Sequence, residues 1–194
     1  MFCARCGAYF GKKAAPTPVL CHKCDDHHYD KAAAAGVYEK ALAAAIIQLK
    51  SVPAMPKRLG DLLSGTSLPD EFLTADLIVP VPLSKHRRLE RGFNQAEIIA
   101  GTLGARLDVP VDRQSLARRL HTPIHRIGMD QKARELSVRN AFEVKRPKLI
   151  AGKNVLLVDD VLTSGATASD AAKVLKKAGA ARVYVFTLAR AVMG

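Results

Sequence analysis

The chain has 194 residues, 48% hydrophobic and 25% charged, enough for one globular domain with a small appendage and too few for two full-sized domains. That composition excludes a disordered or fibrous protein. Thirty Lys and Arg against eighteen Asp and Glu give a net charge of +12, which points to nucleic acid or phosphorylated small molecules as partners without choosing between them.

All four cysteines fall in the first 24 residues, as Cys3-x-x-Cys6 and Cys21-x-x-Cys24. Two such pairs supply the four corners of a tetrahedral thiolate site, and Gly7 after the first pair permits the tight knuckle turn. The reading is a structural Zn²⁺ ribbon, closed by its four ligands. Two disulfides, or free thiols, are the competing reading, disfavoured because the opening residues lack the apolar core of a secretion signal. His22, His27 and His28 lie near enough in sequence to stand in for a cysteine but are read as solvent-facing. The Ala-rich stretch from Ala32 to Ile47 is broken by Gly36, Glu39 and Lys40, so the expectation is a cytoplasmic protein with no membrane insertion.

Leu42, Ala45, Ile46 and Leu49 mark an amphipathic helix from about Glu39 to Lys50, stopped by Pro53 and Pro56, and Leu59, Leu62 and Leu63 suggest a second short one. Leu77-Ile78-Val79 reads as a buried strand halted at Pro80 and Pro82. A helix opens at Asn94 with Glu97 three residues on, the pattern of a capping box. Residues 120–140 are polar, basic and weakly periodic, and read as a loop. Val155–Val158 and Val183–Phe186 are nearly continuous apolar runs, as in parallel strands buried on both faces. Between them Thr167-x-x-Asp170 is placed to cap a helix that stops at Gly179, completing a βαβ unit. The expected organisation is a zinc module over residues 1–30, a helical hood or connector over 31–75, and an α/β domain with a parallel sheet flanked by helices over 76–194.

The most informative run is Asp159-Asp160-Val161-Leu162-Thr163-Ser164-Gly165-Ala166-Thr167. It puts two carboxylates at the carboxyl end of a buried strand, where open α/β sheets place ligands. Thr163, Ser164, Gly165, Ala166 and Thr167 then offer backbone N–H groups and hydroxyls to a phosphate at a helix N-terminus. Ionised carboxylates accept hydrogen bonds only, which suits the two hydroxyls of a ribose or the shell of Mg²⁺. The run is neither a Walker loop nor a dinucleotide-binding turn. Upstream, Val79-Pro80-Val81-Pro82 precedes Lys85, Arg87, Arg88 and Arg91, a cluster fit for a pyrophosphate. Residues 113–153 hold eleven Lys or Arg against three acids, and residues 84–94 four against one, so the charge excess gathers around this candidate site.

The acidic run resembles the signature of the type I phosphoribosyltransferases, which bind phosphoribosyl pyrophosphate (PRPP). With Val79-Pro80-Val81-Pro82, Arg91-Gly92-Phe93-Asn94-Gln95 and the N-terminal cysteines, the whole chain resembles the ComF family of competence-associated, phosphoribosyltransferase-like proteins. The resemblance implies that Asp159 and Asp160 are the catalytic acidic pair holding the ribose 2′ and 3′ hydroxyls, that residues 163–167 wrap the 5-phosphate, and that Mg²⁺ accompanies PRPP. Its nearest enzymatic class is the amidophosphoribosyltransferases, although no glutaminase domain is visible. It also implies a link to natural transformation, which leaves a second reading open: a non-catalytic adaptor or ligand sensor that binds single-stranded DNA or DNA-uptake proteins. Against a dedicated single-strand reader, Trp is absent and the basic segments offer only Phe93 and Phe142 for stacking. The segment 119–142 departs from the family pattern, with His125 where glutamine is usual; Arg119 and Arg134 remain as candidate pyrophosphate contacts.

Overall fold

A computed structural model describes residues 3–8, 20–21, 27–119 and 141–191. Its centre is a four-stranded, all-parallel sheet in the order β1 (Lys31–Val37), β6 (Arg182–Arg190), β5 (Asn154–Leu162), β2 (Leu77–Pro80). Parallel strands need crossovers, and here helices cover both faces. On one face α1 (Lys40–Leu49), α2 (Lys57–Gly65) and α4 (Gln95–Leu107) bury Ile46, Leu49, Leu63, Ile99 and Leu103 against Ile78, Leu156, Val158 and Phe186. On the other, α6 (Ala166–Lys177) lays Ala168, Ala171, Ala172 and Leu175 on Val155, Leu157, Val183 and Val185, together with the cysteine module. The remaining elements are α3 (Lys85–Arg91), a short α5 (Pro147–Ile150) and the antiparallel pair β3 (Leu116–Arg118) and β4 (Phe142–Val144). Among the described residues no helix is long and apolar enough to cross a membrane.

The strand, helix, strand order of β5, α6 and β6 is the expected βαβ unit. Two local expectations change. Residues 31–37, read as part of a helical connector, form an edge strand hydrogen-bonded to β6. Alanine favours helix by only a fraction of a kcal/mol per residue (about 0.5), and packing overrides it: the small side chains let the cysteine knuckle lie directly on β1. A Cβ on Gly7 would stand 3.4 Å from the Ala32 carbonyl oxygen, and the Ala32 N–H donates to the Arg5 carbonyl at 2.5 Å. The cap of α6 is Gly165 in the left-handed region at φ +84°, not Thr167, which lies inside the first turn. Asp170 instead accepts from the Ala141 N–H at 2.9 Å, pinning the chain where it re-enters β4.

Asn94 does cap α4, accepting from the Ala96 N–H at 3.1 Å. Glu97 does not close the capping box back onto Asn94. It pairs with Arg88 at 2.5 Å, which ties α3 to α4.

Candidate phosphate and ribose site

The site forms because β2 is shorter than β5. Pro80 stands opposite Val158, and the Val81 N–H makes the last bond across that edge, to the Val158 carbonyl at 2.8 Å. From Asp159 onward β5 continues alongside β6 alone, with Val161 and Leu162 opposite Ala189 and Arg190. The open edge therefore begins at the acidic pair. Val158 and Val161 both pack on the α4 face, so side-chain alternation changes phase across Asp159 and Asp160. Carboxylates take up the local N–H groups there: Asp160 N donates to Asp159 Oδ1 at 2.8 Å, and Val161 N to Asp160 Oδ1 at 2.7 Å.

Asp160 is 7% exposed and faces the α1 and α4 side. Its Oδ2 takes Lys50 Nζ at 3.0 Å and Gln95 Nε2 at 3.3 Å. Neither partner was a candidate from sequence. Lys50 follows the last residue of α1, 110 positions upstream, and nothing local marks it. Gln95 lies in the Arg-Gly-Phe-Asn-Gln motif, whose logic is now physical: Asn94 Nδ2 donates to the Val81 carbonyl at 3.0 Å while Gln95 reaches β5, so two adjacent side chains fix α4 to the carboxyl ends of both strands. Asp159 is half-buried. Desolvation first, and the neighbouring Asp160 carboxylate second, push its carboxyl up to about 8.

Thr163, Ser164 and Gly165 form the turn after β5, and Ala166 and Thr167 open α6, so all five expected phosphate residues fall within one strand-to-helix connection. Ser164 Oγ accepts from the Ala166 N–H at 3.3 Å. The turn's concave side meets the N-terminal dipole of a twelve-residue helix, the arrangement that takes an anion. Beneath it, a Cβ on Gly165 would meet His27 Cε1 and Tyr29 Oη, each at 2.9 Å. His27 is therefore packed under the loop, stacked on Tyr29 at 4.7 Å, and is not solvent-facing as expected from sequence.

The basic cluster is placed on α3, immediately after β2, with Ser84 as its cap. Lys85, Arg87 and Arg88 are exposed and Arg91 is half-buried. Arg88 is held by Glu97 and Arg91 by Gln95 Oε1 at 3.1 Å, whereas Lys85 and Arg87 make no ion pair among the described residues. Arg119 pairs with Glu143 at 3.7 Å, whereas Arg134 and His125 lie outside the described residues.

Cys3, Cys6 and Cys21 bring their Sγ atoms within 4.8 Å of one another. Tetrahedral Zn²⁺ with Zn–S bonds of about 2.3 Å sets its sulfurs about 3.8 Å apart, and the Cys6 to Cys21 separation of 3.4 Å falls close to that. Cys21 N donates to Cys3 Sγ at 3.4 Å, and Gly7, at φ +64°, donates to the Cys3 carbonyl at 3.0 Å, as a metal knuckle requires. These three residues fit a metal; Cys24, the expected fourth ligand, lies outside the described residues.

Residues 90–192 match the phosphoribosyl transferase domain family. Competence protein F of Haemophilus influenzae is 38% identical over 60% of the chain and 51% of its own length. DNA utilization protein YhgH of Escherichia coli K12 is 33% identical over 66% of the chain and 52% of its own length. Competence protein ComFC of Bacillus subtilis is 37% identical over 59% of the chain and 44% of its own length. The chain thus spans about half the length of the curated relatives it matches.

Proposed function

This chain belongs to the ComF family and carries a phosphoribosyl transferase domain, and from that premise we propose that it binds PRPP and transfers its phosphoribosyl group with loss of pyrophosphate. One observation supports the reading above the rest: a single strand-to-helix connection presents an acidic pair at an open sheet edge and an anion-binding turn three residues later. Ribose hydroxyls donate to Asp159 and Asp160, and the 5-phosphate sits in the turn 163–167. The pyrophosphate is directed toward α3, where Lys85 and Arg87 neutralise it while Arg88 and Arg91 hold α3 on α4.

In such a transfer an acceptor's lone pair forms the new bond to C1 of the sugar. The C1–O bond breaks with its electron pair leaving on pyrophosphate, and the acceptor loses a proton. Positive charge builds on the ring as the bond stretches, and cations around the leaving oxygens lower that barrier. Apart from the cysteines, no cluster of three metal-ligating side chains occurs among the described residues. Mg²⁺ therefore fits as an ion carried by the diphosphate of PRPP. It would supply charge neutralisation at the leaving group. Zn²⁺ on Cys3, Cys6, Cys21 and Cys24 would be structural. The hood from α1 and α2 would receive the acceptor.

Calorimetric titration with PRPP and Mg²⁺ tests the proposal. Saturable binding by the wild type, lost in Asp159→Asn/Asp160→Asn, is the expected result; binding unchanged in the double variant places the pocket elsewhere. The relatives' names carry a second reading, action in DNA uptake and use. A wild type that binds no PRPP but takes up single-stranded DNA, with affinity falling steeply as salt rises, would favour it.

A further inference from the structure

Arg190 is the most deeply buried cation described, 3% exposed at the end of β6. A buried guanidinium needs a counter-charge, yet among the described residues no carboxylate pairs with it. Its Nη1 donates to the Thr163 carbonyl at 2.6 Å, in the first residue of the phosphate turn. Its Nη2 stands 4.0 Å from Cys6 Sγ, in the cysteine cluster. The three described thiolates around one Zn²⁺ already leave such a centre net negative. We propose that the thiolate cluster is the counter-charge of Arg190, and that Arg190 is a positioning residue through which metal loading of the cysteines sets the shape of the phosphate turn.

A second line of contacts runs the same way. Arg5, in the knuckle between Cys3 and Cys6, donates from Nη2 to the carbonyls of His27 at 2.9 Å and Tyr29 at 3.3 Å. Those are the two rings packed under Gly165. The next residue, His28, donates its N–H to Ser169 Oγ at 3.0 Å in the first turn of α6. The cysteine module therefore touches the turn's first residue through Arg190, its apex through His27 and Tyr29, and the following helix through His28. Losing the metal releases the cysteine sulfurs from a common centre. Arg190 would then lose its fixed partner at Cys6, and the Thr163 carbonyl would lose its fixed donor as the guanidinium moves.

The inference rests on the cysteines holding a metal and, for its ligand, on the phosphate reading above. Its test separates the two. The full chain, zinc-loaded or chelated, wild type or Arg190→Lys, is followed by amide exchange over residues 163–167 and titrated with ribose 5-phosphate. Zn²⁺ affinity is measured by chelator competition, and Co²⁺ replaces zinc for the thiolate charge-transfer spectrum. Chelation is expected to speed exchange in 163–167 and to weaken ribose 5-phosphate about tenfold, with ribose 5-phosphate tightening zinc by the same factor. Arg190→Lys keeps a charge but cannot span both partners, so its zinc-loaded form should resemble the chelated wild type in the turn, bind zinc more weakly and shift the Co²⁺ spectrum.

Equal exchange and equal ribose 5-phosphate affinity with and without zinc overturn the inference and leave the PRPP reading standing. No ribose 5-phosphate binding in any sample removes the PRPP reading, and the inference is then decided on exchange, zinc affinity and spectrum. A fully reduced chain that binds no zinc, or an Arg190→Lys variant unchanged in all three, overturns it.

Discussion

The 163–167 turn and the Asp160 carboxylate lie three residues apart but are held by different physics. Shape holds the turn: Gly165 adopts a conformation other residues resist, and two rings fill the space beneath it. Charge holds Asp160, through an ammonium and an amide brought from α1 and α4. Changes under the turn should therefore act through geometry and stability, whereas changes around Asp160 should act through electrostatics and leave the fold intact.

The sharpest way to break that contrast is Gly165→Ala. A Cβ at φ +84° adds strain of about 1–3 kcal/mol and drives into His27 and Tyr29 at 2.9 Å. We expect a clear drop in the denaturation midpoint together with loss of ribose 5-phosphate binding; full stability and binding would show that the rings yield easily. Asn94→Ala comes next. It removes the α4 cap and the bond to the Val81 carbonyl, costing about 1–2 kcal/mol, and by loosening Gln95 it should weaken PRPP more than it destabilises the chain. Both effects are read from urea titration and calorimetry on the same sample.

Lys50→Met tests the charged half. The pair is partly exposed on the lysine side, so its loss should cost about 1 kcal/mol, between the values for exposed and buried pairs. Its signature is a weaker, more salt-sensitive affinity for PRPP with an unchanged near-ultraviolet spectrum. The pH dependence has a definite sign. Asp159 holds its proton up to about 8 in the folded chain and loses it near 3.8 when unfolded. Between those values the folded state binds more protons, so this group's contribution to stability falls as pH rises from about 4 to about 8. Asp159→Asn should flatten that part of the stability curve; an unchanged slope would mean that Asp159 is solvated. The smallest effect is expected for Arg88→Ala, an exposed pair with Glu97, within about 0.5 kcal/mol.

Much of the candidate site was legible because it is short-range. The Asp pair, the hydroxyl turn and the helix after it are contiguous, and apolar runs on either side announce buried parallel strands. The cysteine spacing was equally plain, since a knuckle is built within a few residues. Sequence reasoning went astray where an element's own preference was weak. Ala32–Ala35 carries no strand pattern and became β1 through pairing with β6. Thr167 looked like a cap because its hydroxyl and Asp170 fit the spacing, yet glycine's left-handed freedom at 165 starts the helix earlier and releases Asp170 to hold Ala141.

The sequence alone determined which groups are on offer: cysteine pairs at metal-ligand spacing, a carboxylate pair followed by a hydroxyl-bearing turn, and cations between them, because each set is encoded by neighbouring residues. Only the tertiary structure decided which distant groups complete those sets. Lys50 meets Asp160 across 110 positions, and Arg190 joins Cys6 to Thr163 across 184 and 27. Such pairings follow from strand order and from which helix covers which face, and no local pattern of residues carries that information.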